Sequence, residues 1–518
     1  MTAQLADRQR FRRPIPFHPV LFAVAPILFV YAHNGARIPI DPGELLVPIA
    51  LSLAMTAVIW AIVWLLFRSA ERAALVVTLF LVLFFTYGHI AEKLVPPVYA
   101  SAELLLVWAV LMGVGTWLVA RRPKNRARGS MRGLTVLLNS AAVGILAVDL
   151  VAGARAFGYR PPRIERGSRS DIKAAGSDYP DIYYIITDSY LRSDVLKSRY
   201  NTDDSAFLTD LRRLGFFVAD RARSNYPGTH LSLASSLNFT YLDSLGKALG
   251  PESDNASPLI EMIQNSRLVD FLRRWGYTIA SFASSHVGTD LAGPDIHFAP
   301  PWSLSEFHSL LLSTTLLRDV LVLLHRSSVD RHRERVLYTL RHLPDAGLGR
   351  HPVFVFAHIL CPHRPFVFRA PGLPASIGSY GGQVLYLDRL LLDAVRRILA
   401  QSSRPPVILI QADHGLRETI VWGDSARNQL LERHAILYAA CLPPSDRQVQ
   451  PAAQLYDSIS PVNTFRIVLS AYFDTTMALL PDRSYYSLLD RPYHFYDIDR
   501  PESYPSVDEK VEIPLNQY

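Results

Sequence analysis

Four short runs of this chain carry residue types able to do chemistry. Gln411-Ala-Asp413-His414-Gly415 sets a carboxylate beside an imidazole, with a glycine that permits a tight turn. Hard oxygen and imidazole donors together suit Zn, Mn or Mg better than a soft thiolate metal. Asp188, in Ile186-Thr-Asp188-Ser-Tyr-Leu-Arg-Ser-Asp194, is a carboxylate at the exit of an apolar run. Its plainer role is an N-cap for the helix that follows. Ala357-His358-Ile-Leu-Cys361-Pro-His363-Arg364-Pro-Phe366 offers two imidazoles. His363, in the Pro-rich turn, is placed to meet an anion or a metal, whereas His358, still inside the apolar run, reads equally as a core histidine. The fourth run, Ser224-Asn225-Tyr226-Pro227-Gly228-Thr229-His230, opens onto a helix-like segment from Leu231 to Leu237. A hydroxyl there either caps the helix or faces free N–H groups and the positive end of the dipole, where an anionic substrate binds. A metal alongside lowers the hydroxyl pKa and makes a nucleophile.

The elements that must position these runs alternate between two periods. Ile182–Ile186, Phe216–Ala219, Tyr277–Ala280, Val353–Ile359, Val407–Ile410 and Ala435–Ala439 read as short buried strands. Helical patterns lie between them. Arg267–Trp275 is closed by Gly276. Gly382–Leu399 carries Val384, Leu387, Leu391, Val395 and Ile398 on one face. Strand–helix alternation predicts a mainly parallel sheet with helices on both faces. Ligands then collect outside the carboxyl ends of the strands, where Asp188, His363 and Asp413 fall. Asn238-Phe-Thr240 matches a glycosylation sequon, but it sits at the end of a predicted helix and is read as chance.

The first third of the chain is of another kind. Phe17–Ala32, Leu45–Phe67, Ala73–Ala91, Leu104–Ala120 and Gly133–Val148 contain no Asp, Glu, Lys or Arg. About 17–25 apolar residues cross a bilayer, so the run predicts five membrane spans rather than buried core helices. Twelve Lys or Arg residues flank alternate spans: four before the first (Arg8 to Arg13), Arg68 and Arg72 after the second, and six between Arg121 and Arg132. The other loops hold only Arg37 and Lys93. This asymmetry predicts a cytoplasmic N-terminus in the plasma membrane and, after five spans, an extracytoplasmic C-terminal domain. The net charge of +7 is thereby read as a topology signal and not as a nucleic-acid surface.

The expected domains are a transmembrane domain at 1–154, a linker at 155–175 rich in Pro and Arg, and an extracytoplasmic domain at 176–518. At 49% hydrophobic and 19% charged residues, the chain is no disordered protein. Two cysteines, Cys361 and Cys441, exclude a disulfide framework or a Cys-rich zinc site. Both follow predicted strands in an oxidising compartment, which leaves a single bond between them open.

The ordered set of Asp188, Gly228-Thr229, Pro362-His363-Arg-Pro-Phe366 and Asp413-His414-Gly415 resembles the alkaline phosphatase superfamily, in its sulfatase-like branch. Five spans ahead of such a domain resemble lipoteichoic acid synthases and lipid A phosphoethanolamine transferases. The resemblance implies an α/β sulfatase-like domain with a central, mostly parallel sheet, preceded by an all-α five-helix transmembrane domain. It also implies a divalent metal ion (Mn, Mg or Zn) and a Thr nucleophile that passes through a phospho-Thr intermediate. Residue by residue, Asp188, Asp413 and His414 match the metal ligands, and Thr229 the nucleophile that also touches the metal. His363 resembles the histidine that contacts the substrate phosphate, and His358, Arg417 and Asn225 join it as substrate-binding candidates. His434 and Asp194 are candidates for further ligands.

The implied reaction is transfer of a phosphoglycerol or phosphoethanolamine head group from a phospholipid donor to an envelope acceptor, with no nucleic acid partner. Its rivals are a phosphodiesterase or phosphatase using water, and a catalytically inactive module that binds the envelope. Two departures are visible. Asp188 stands where those transferases often carry Glu. The Cys-x-Pro-x-Arg or Ser-x-Pro-x-Arg signature of true sulfatases is absent, because Cys361-Pro-His-Arg misplaces the proline.

Overall fold

The computed structural model describes residues 14–35, 40–95, 99–121, 127–157, 179–284, 286–301, 303–349, 351–369, 379–416, 426–445 and 450–500. The chain forms two compact units. One comprises Met1–Arg160 together with Leu304–Ser328, the other Pro161–Ser303 with Val329–Tyr518. The expected domain boundaries are corrected in one respect: residues 304–328, read from sequence as part of the second domain, pack with the first. The predicted linker lies largely outside the described residues.

The first unit has five N-terminal helices, α1 (His18–Gly35), α2 (Leu46–Phe67), α3 (Ala70–Leu94), α4 (Ala102–Arg121) and α5 (Ala127–Phe157). Among the described residues, four segments are long and apolar enough to cross a membrane: Pro42–Phe67, Ala70–Leu94, Ala102–Arg121 and Met131–Ala154. The predicted first span, α1, falls outside that set. It is short and contains Pro26, which removes one N–H from the helical ladder. Polar side chains from its neighbours hold it. Asn139 of α5 accepts from the His18 N–H at 2.9 Å, and Ser52 of α2 donates to the Ala23 carbonyl at 2.8 Å. In two helices the exposure pattern is inverted: α4 buries no residue and α2 buries only Ser52 and Thr56.

The second unit is built on a seven-stranded sheet of order β2-β7-β6-β1-β5-β3-β4. The strands are β1 (Ile182–Thr187), β2 (Phe217–Val218), β3 (Thr278–Phe282), β4 (Ile296–Phe298), β5 (Val353–Ile359), β6 (Val407–Gln411) and β7 (Tyr438–Cys441). Strands β6, β1, β5, β3 and β4 run parallel. β7 is antiparallel to both β6 and β2. The mainly parallel α/β sheet is as expected from the alternating pattern. Strand β4 was not foreseen, since three residues around a histidine give no periodic signal. The predicted strand at Ala435–Ala439 starts later, and Ala435 and Ile436 instead make isolated bridges to Arg223 and Leu191.

Adjacent side chains on β1 point to opposite faces. Tyr184 meets Ser236 of the Thr229–Asn238 helix on one face, at 3.3 Å. Burial of the Tyr183 side chain draws in the 343–347 turn on the other: a Cβ on Gly347 would lie 2.2 Å from its hydroxyl. Cys361 and Cys441 are both free. Two strands separate β5 from β7, about 14 Å at the usual strand spacing, well beyond the reach of a disulfide. Cys441 also lies beside Ile408 at the opposite end of the sheet from Cys361.

Candidate metal centre

Register in the central strands delivers the site. Ile186 of β1 stands opposite His358 of β5 and Gln411 of β6. Asp188 and Asp413 each follow their register partner by two residues, so they emerge side by side on one end of the sheet. Asp188, Asp413 and His414 are buried, and each offers one ligand atom within 4.8 Å of the others. No other such group of His, Cys, Asp or Glu occurs among the described residues.

Local structure aims each group. Ser189 has a left-handed backbone (φ 65°), a conformation uncommon outside glycine and typical of functional sites. It lets the Ser189 N–H reach Asp413 Oδ1 at 3.2 Å while its hydroxyl donates to Asp188 Oδ1 at 2.8 Å. Tyr380 secures that turn, donating to the Ser189 carbonyl at 2.7 Å and accepting from the Leu191 N–H at 3.0 Å. Asp413 Oδ1 also accepts from the His414 N–H at 2.9 Å. Gly415 is required by close approach: a Cβ there would lie 2.2 Å from the Arg433 carbonyl oxygen.

The tautomers follow from the hydrogen bonds. His414 Nδ1 lies 2.7 Å from the Gly415 carbonyl, an acceptor only, so Nδ1 carries the proton. The Nε2 lone pair then faces Thr229 Oγ1 at 3.1 Å, Asp413 Oδ2 at 3.4 Å and Asp188 Oδ1 at 3.8 Å. His358 Nδ1 lies 3.1 Å from Thr289 Oγ1, and Thr289 donates to the His286 carbonyl at 3.1 Å. His358 Nδ1 is therefore the donor to Thr289. Its Nε2 points at Asp188 Oδ2, 3.4 Å away, and Asp413 Oδ2, 4.0 Å away.

Two of these atoms, Asp413 Oδ2 and His358 Nε2, are buried with no hydrogen-bond partner. Native interiors seldom leave such groups unmatched. Separations of 3.4–4.0 Å are long for hydrogen bonds. Ligand atoms on a tetrahedral zinc lie about 3.3 Å from one another. The residues present thus fit a divalent cation held by Asp188, Asp413 and His414, with His358 and Thr229 facing the same point.

The electrostatics agree. Burial works against ionisation of Asp188, yet His363, His358 and His414 together hold its carboxyl well below the usual range. Burial also works against charge on His358, but Asp188, Asp413 and Asp290 outweigh it and raise its pKa above the ordinary histidine value.

Thr229 is the first residue of the Thr229–Asn238 helix, and the cap is Gly228, which makes no side-chain capping bond. The hydroxyl is buried and turned to His414, so it is not a cap. Asp188 likewise caps nothing, since Arg192 occupies the cap position of the next helix. His363 is half-buried beside the cluster, its Nδ1 2.6 Å from the Arg364 carbonyl.

Three expectations are corrected. Asn225 is taken up in holding loops: it donates to the Arg483 carbonyl at 2.8 Å and to the Tyr241 hydroxyl, and accepts from the Val462 N–H at 2.8 Å. Both of its N–H donors are thus committed to holding loops. His434 has both ring nitrogens on backbone carbonyls, Leu430 at 2.8 Å and Tyr485 at 3.0 Å, so no lone pair aims at the cluster. Asp194 is an exposed partner of Arg192. Arg417 lies outside the described residues.

Sequence reasoning missed Ser189 and Thr289, which orient the carboxylate and His358. It also missed a rank of imidazoles, with His286 5.0 Å from His230 and 6.2 Å from His358 by ring centroid. His332, half-buried on the Ser328–His342 helix, also went unnoticed. Burial first, then Arg335 and His363, push its pKa down to about 3. A histidine next to Thr229 was the available signal for His230. None marked the others, which reach the site only through folding.

No known family profile matches this chain, and no curated protein matches it. Among solved structures it is similar to the C-terminal periplasmic domain of EcEptC from Escherichia coli in complex with Zn. Identity is 12% and the TM-score 0.42, over 63% of this chain and 94% of that one. It is also similar to the integral membrane lipooligosaccharide phosphoethanolamine transferase A from Neisseria meningitidis, at 11% identity and TM-score 0.38, over 89% and 96% of the two chains. The lipoteichoic acid synthase LtaP from Listeria monocytogenes follows at 10% identity and TM-score 0.35, over 60% and 75%. Likenesses this distant carry no argument about activity, which rests on the residues themselves.

Proposed function

We propose that this chain is a membrane-bound, metal-dependent phospho-head-group transferase of the phosphoglycerol or phosphoethanolamine type, with Thr229 as nucleophile. The observation that carries the reading is the buried Thr229 hydroxyl at a helix start. It faces His414 Nε2 beside the unmatched Asp413 Oδ2 and His358 Nε2. The ordered motifs that resemble the sulfatase-like branch of the alkaline phosphatase superfamily support it.

Asp188, Asp413 and His414 would hold a divalent ion, which when bound would supply positive charge to lower the pKa of the Thr229 hydroxyl and offset that of the phosphate oxygens. The remaining roles belong to the protein. Thr229 Oγ1 attacks phosphorus, an ester bond forms, and the P–O bond to the lipid alcohol breaks, with that alcohol leaving as its hydroxyl form. An acceptor hydroxyl then attacks the same phosphorus, the Thr229 Oγ1–phosphorus bond breaks, and the acceptor's proton goes to Thr229 Oγ1. Free N–H groups at the helix start face the anion. His363 receives the phosphate at the rim, and Thr289 and Ser189 keep His358 and Asp188 in their orientations.

Four helices of membrane length favour a lipid donor, because a membrane unit keeps an enzyme at the surface where head groups are concentrated. With α1 as a fifth crossing, the arginine asymmetry puts the N-terminus in the cytoplasm and the catalytic unit outside.

The test is Thr229→Ala in the full chain, assayed in vesicles of phosphatidylethanolamine and phosphatidylglycerol. Turnover falls at least about 10³-fold while metal content and thermal unfolding stay at wild-type levels. Thr229→Ser retains part of the rate, and mass spectrometry of wild type, with donor but no acceptor, finds phosphate on Thr229. Normal turnover by the Ala variant sinks the mechanism.

A further inference from the structure

Residues 304–328 leave the sequence of the second unit and belong to the first. They form two short helices, Glu306–Ser313 and Leu317–Leu323. The break between them is stitched to the middle of α3. The Gly88 N–H donates to the Thr314 carbonyl, and the Leu316 N–H donates to the Phe84 carbonyl, each at 2.9 Å. This contact requires Gly88: a Cβ would lie 2.0 Å from the Ser313 carbonyl oxygen. The second helix is pinned by Asp319, which is fully buried. It accepts from the Tyr87 hydroxyl at 2.5 Å, the Ser101 N–H at 2.9 Å and Arg318 at 2.7 Å. Arg318 also donates to the Val95 carbonyl at 2.9 Å.

An apolar feature points to what covers the other side, and a polar one is compatible with it. Leu317, Val320 and Leu324 recur at helical spacing and are exposed, with Leu323 and Leu324 at 65% and 64%. Ile90 and Leu94, exposed on the end of α3 that Arg318 grips, extend the same kind of surface, as do the apolar faces of α2 and α4. The second feature is polar. Ser313, Thr314 and Thr315 donate their hydroxyls to the carbonyls of Leu310, Leu311 and Leu312 at 2.7, 2.8 and 2.9 Å. Thr314 and Thr315 are buried within the protein, and Ser313 is half-buried. In hydrocarbon every donor must find a partner within the protein.

We propose that residues 304–328 form a lipid-facing hairpin that enters one leaflet of the bilayer, its partner being the acyl-chain region just below the head groups. Helices of eight and seven residues fall well short of the roughly 20 needed to cross, so the hairpin enters and returns. The chain of the catalytic unit thereby returns to the membrane a second time, through this insertion. The proposal rests on the first unit being embedded in a bilayer.

The experiment places a photoreactive benzophenone amino acid at Leu317 or Leu324 of the full chain, in vesicles containing radiolabelled phosphatidylethanolamine. Leu106 of α4, exposed on a membrane-length helix, is the positive control. Irradiation yields lipid adducts at Leu317 and Leu324 about equal to those at Leu106, and at least about tenfold above the chain without the label. Adducts at Leu106 with none at either hairpin position overturn the proposal and spare the membrane reading. Protein–protein adducts at Leu324 in place of lipid overturn it in favour of a second copy. No adduct at Leu106 either removes the membrane reading and the hairpin with it.

Discussion

The two units solve opposite problems with the same amino acids. In the helical unit the apolar side chains of α2 and α4 face outward, while Ser52 and Thr56 of α2 turn inward. The polar groups around the buried Asp319 are matched to one another. In the α/β unit the apolar side chains face inward, as on β1, where all six residues are buried. Yet this better-shielded interior leaves Asp413 Oδ2 and His358 Nε2 unmatched at neighbouring strand ends. Unmatched buried atoms are expensive in either setting. Two such atoms that point at one spot beside Asp188 and His414 make that spot the candidate for an ion.

The comparison is tested most severely at the strand ends. Asp413→Ala removes a ligand atom and the orienting contacts to Ser189 and His414. Turnover drops at least about 10³-fold, as expected when several kcal/mol of charge stabilisation is lost. Metal content by mass spectrometry falls with it, while unfolding of the helical unit is unchanged. Metal content equal to wild type would mean that the unmatched atoms have another purpose.

Asp319→Ala asks the same question of the matched network. Arg318 is left buried without its carboxylate, which costs about 3–5 kcal/mol. Thermal unfolding in detergent shifts down, and metal content stays at the wild-type level. Loss of metal on this change would erase the division of labour between the units.

Thr289→Val sharpens the picture with a smaller effect. Thr289 touches no reacting atom; it fixes the His358 ring through Nδ1. Second-layer changes of this kind lower metal affinity about 10–100-fold. Competition with a chelator measures the loss, and Thr289→Ser restores most of it. An unchanged affinity would show that His358 stands outside the ligand set.

Much of the site was legible because its parts are local. Asp188 and Asp413 follow apolar strand-length runs, and Thr229 follows a Gly at the start of a helical run. Each signal spans fewer than ten residues, and the structure puts Asp188 and Asp413 just past β1 and β6 and Thr229 at a helix start. The errors have a common cause. Asn225 sits in the same run as Thr229, and only the distant Val462, Arg483 and Tyr241 show that its amide is already occupied. His434 precedes a strand and looks available until Leu430 and Tyr485 are seen to hold both nitrogens. Residues 304–328 were assigned by position in the chain, although their apolar character resembles that of the first unit.

Composition and period therefore established the membrane-type helices, the alternation that makes a mostly parallel sheet, and the strand ends where chemistry gathers. These depend on the side-chain repeat of a helix or strand and on the length needed to cross hydrocarbon, both properties of neighbouring residues. Folding decided which of the candidate side chains converge, that His358 faces the carboxylates, that the two cysteines stay apart, and that 304–328 docks on Gly88. Those outcomes depend on register between β5, β1 and β6 and on contacts across more than two hundred residues, such as Tyr87 with Asp319. No local pattern encodes them, because each partner is defined only when the other is in place.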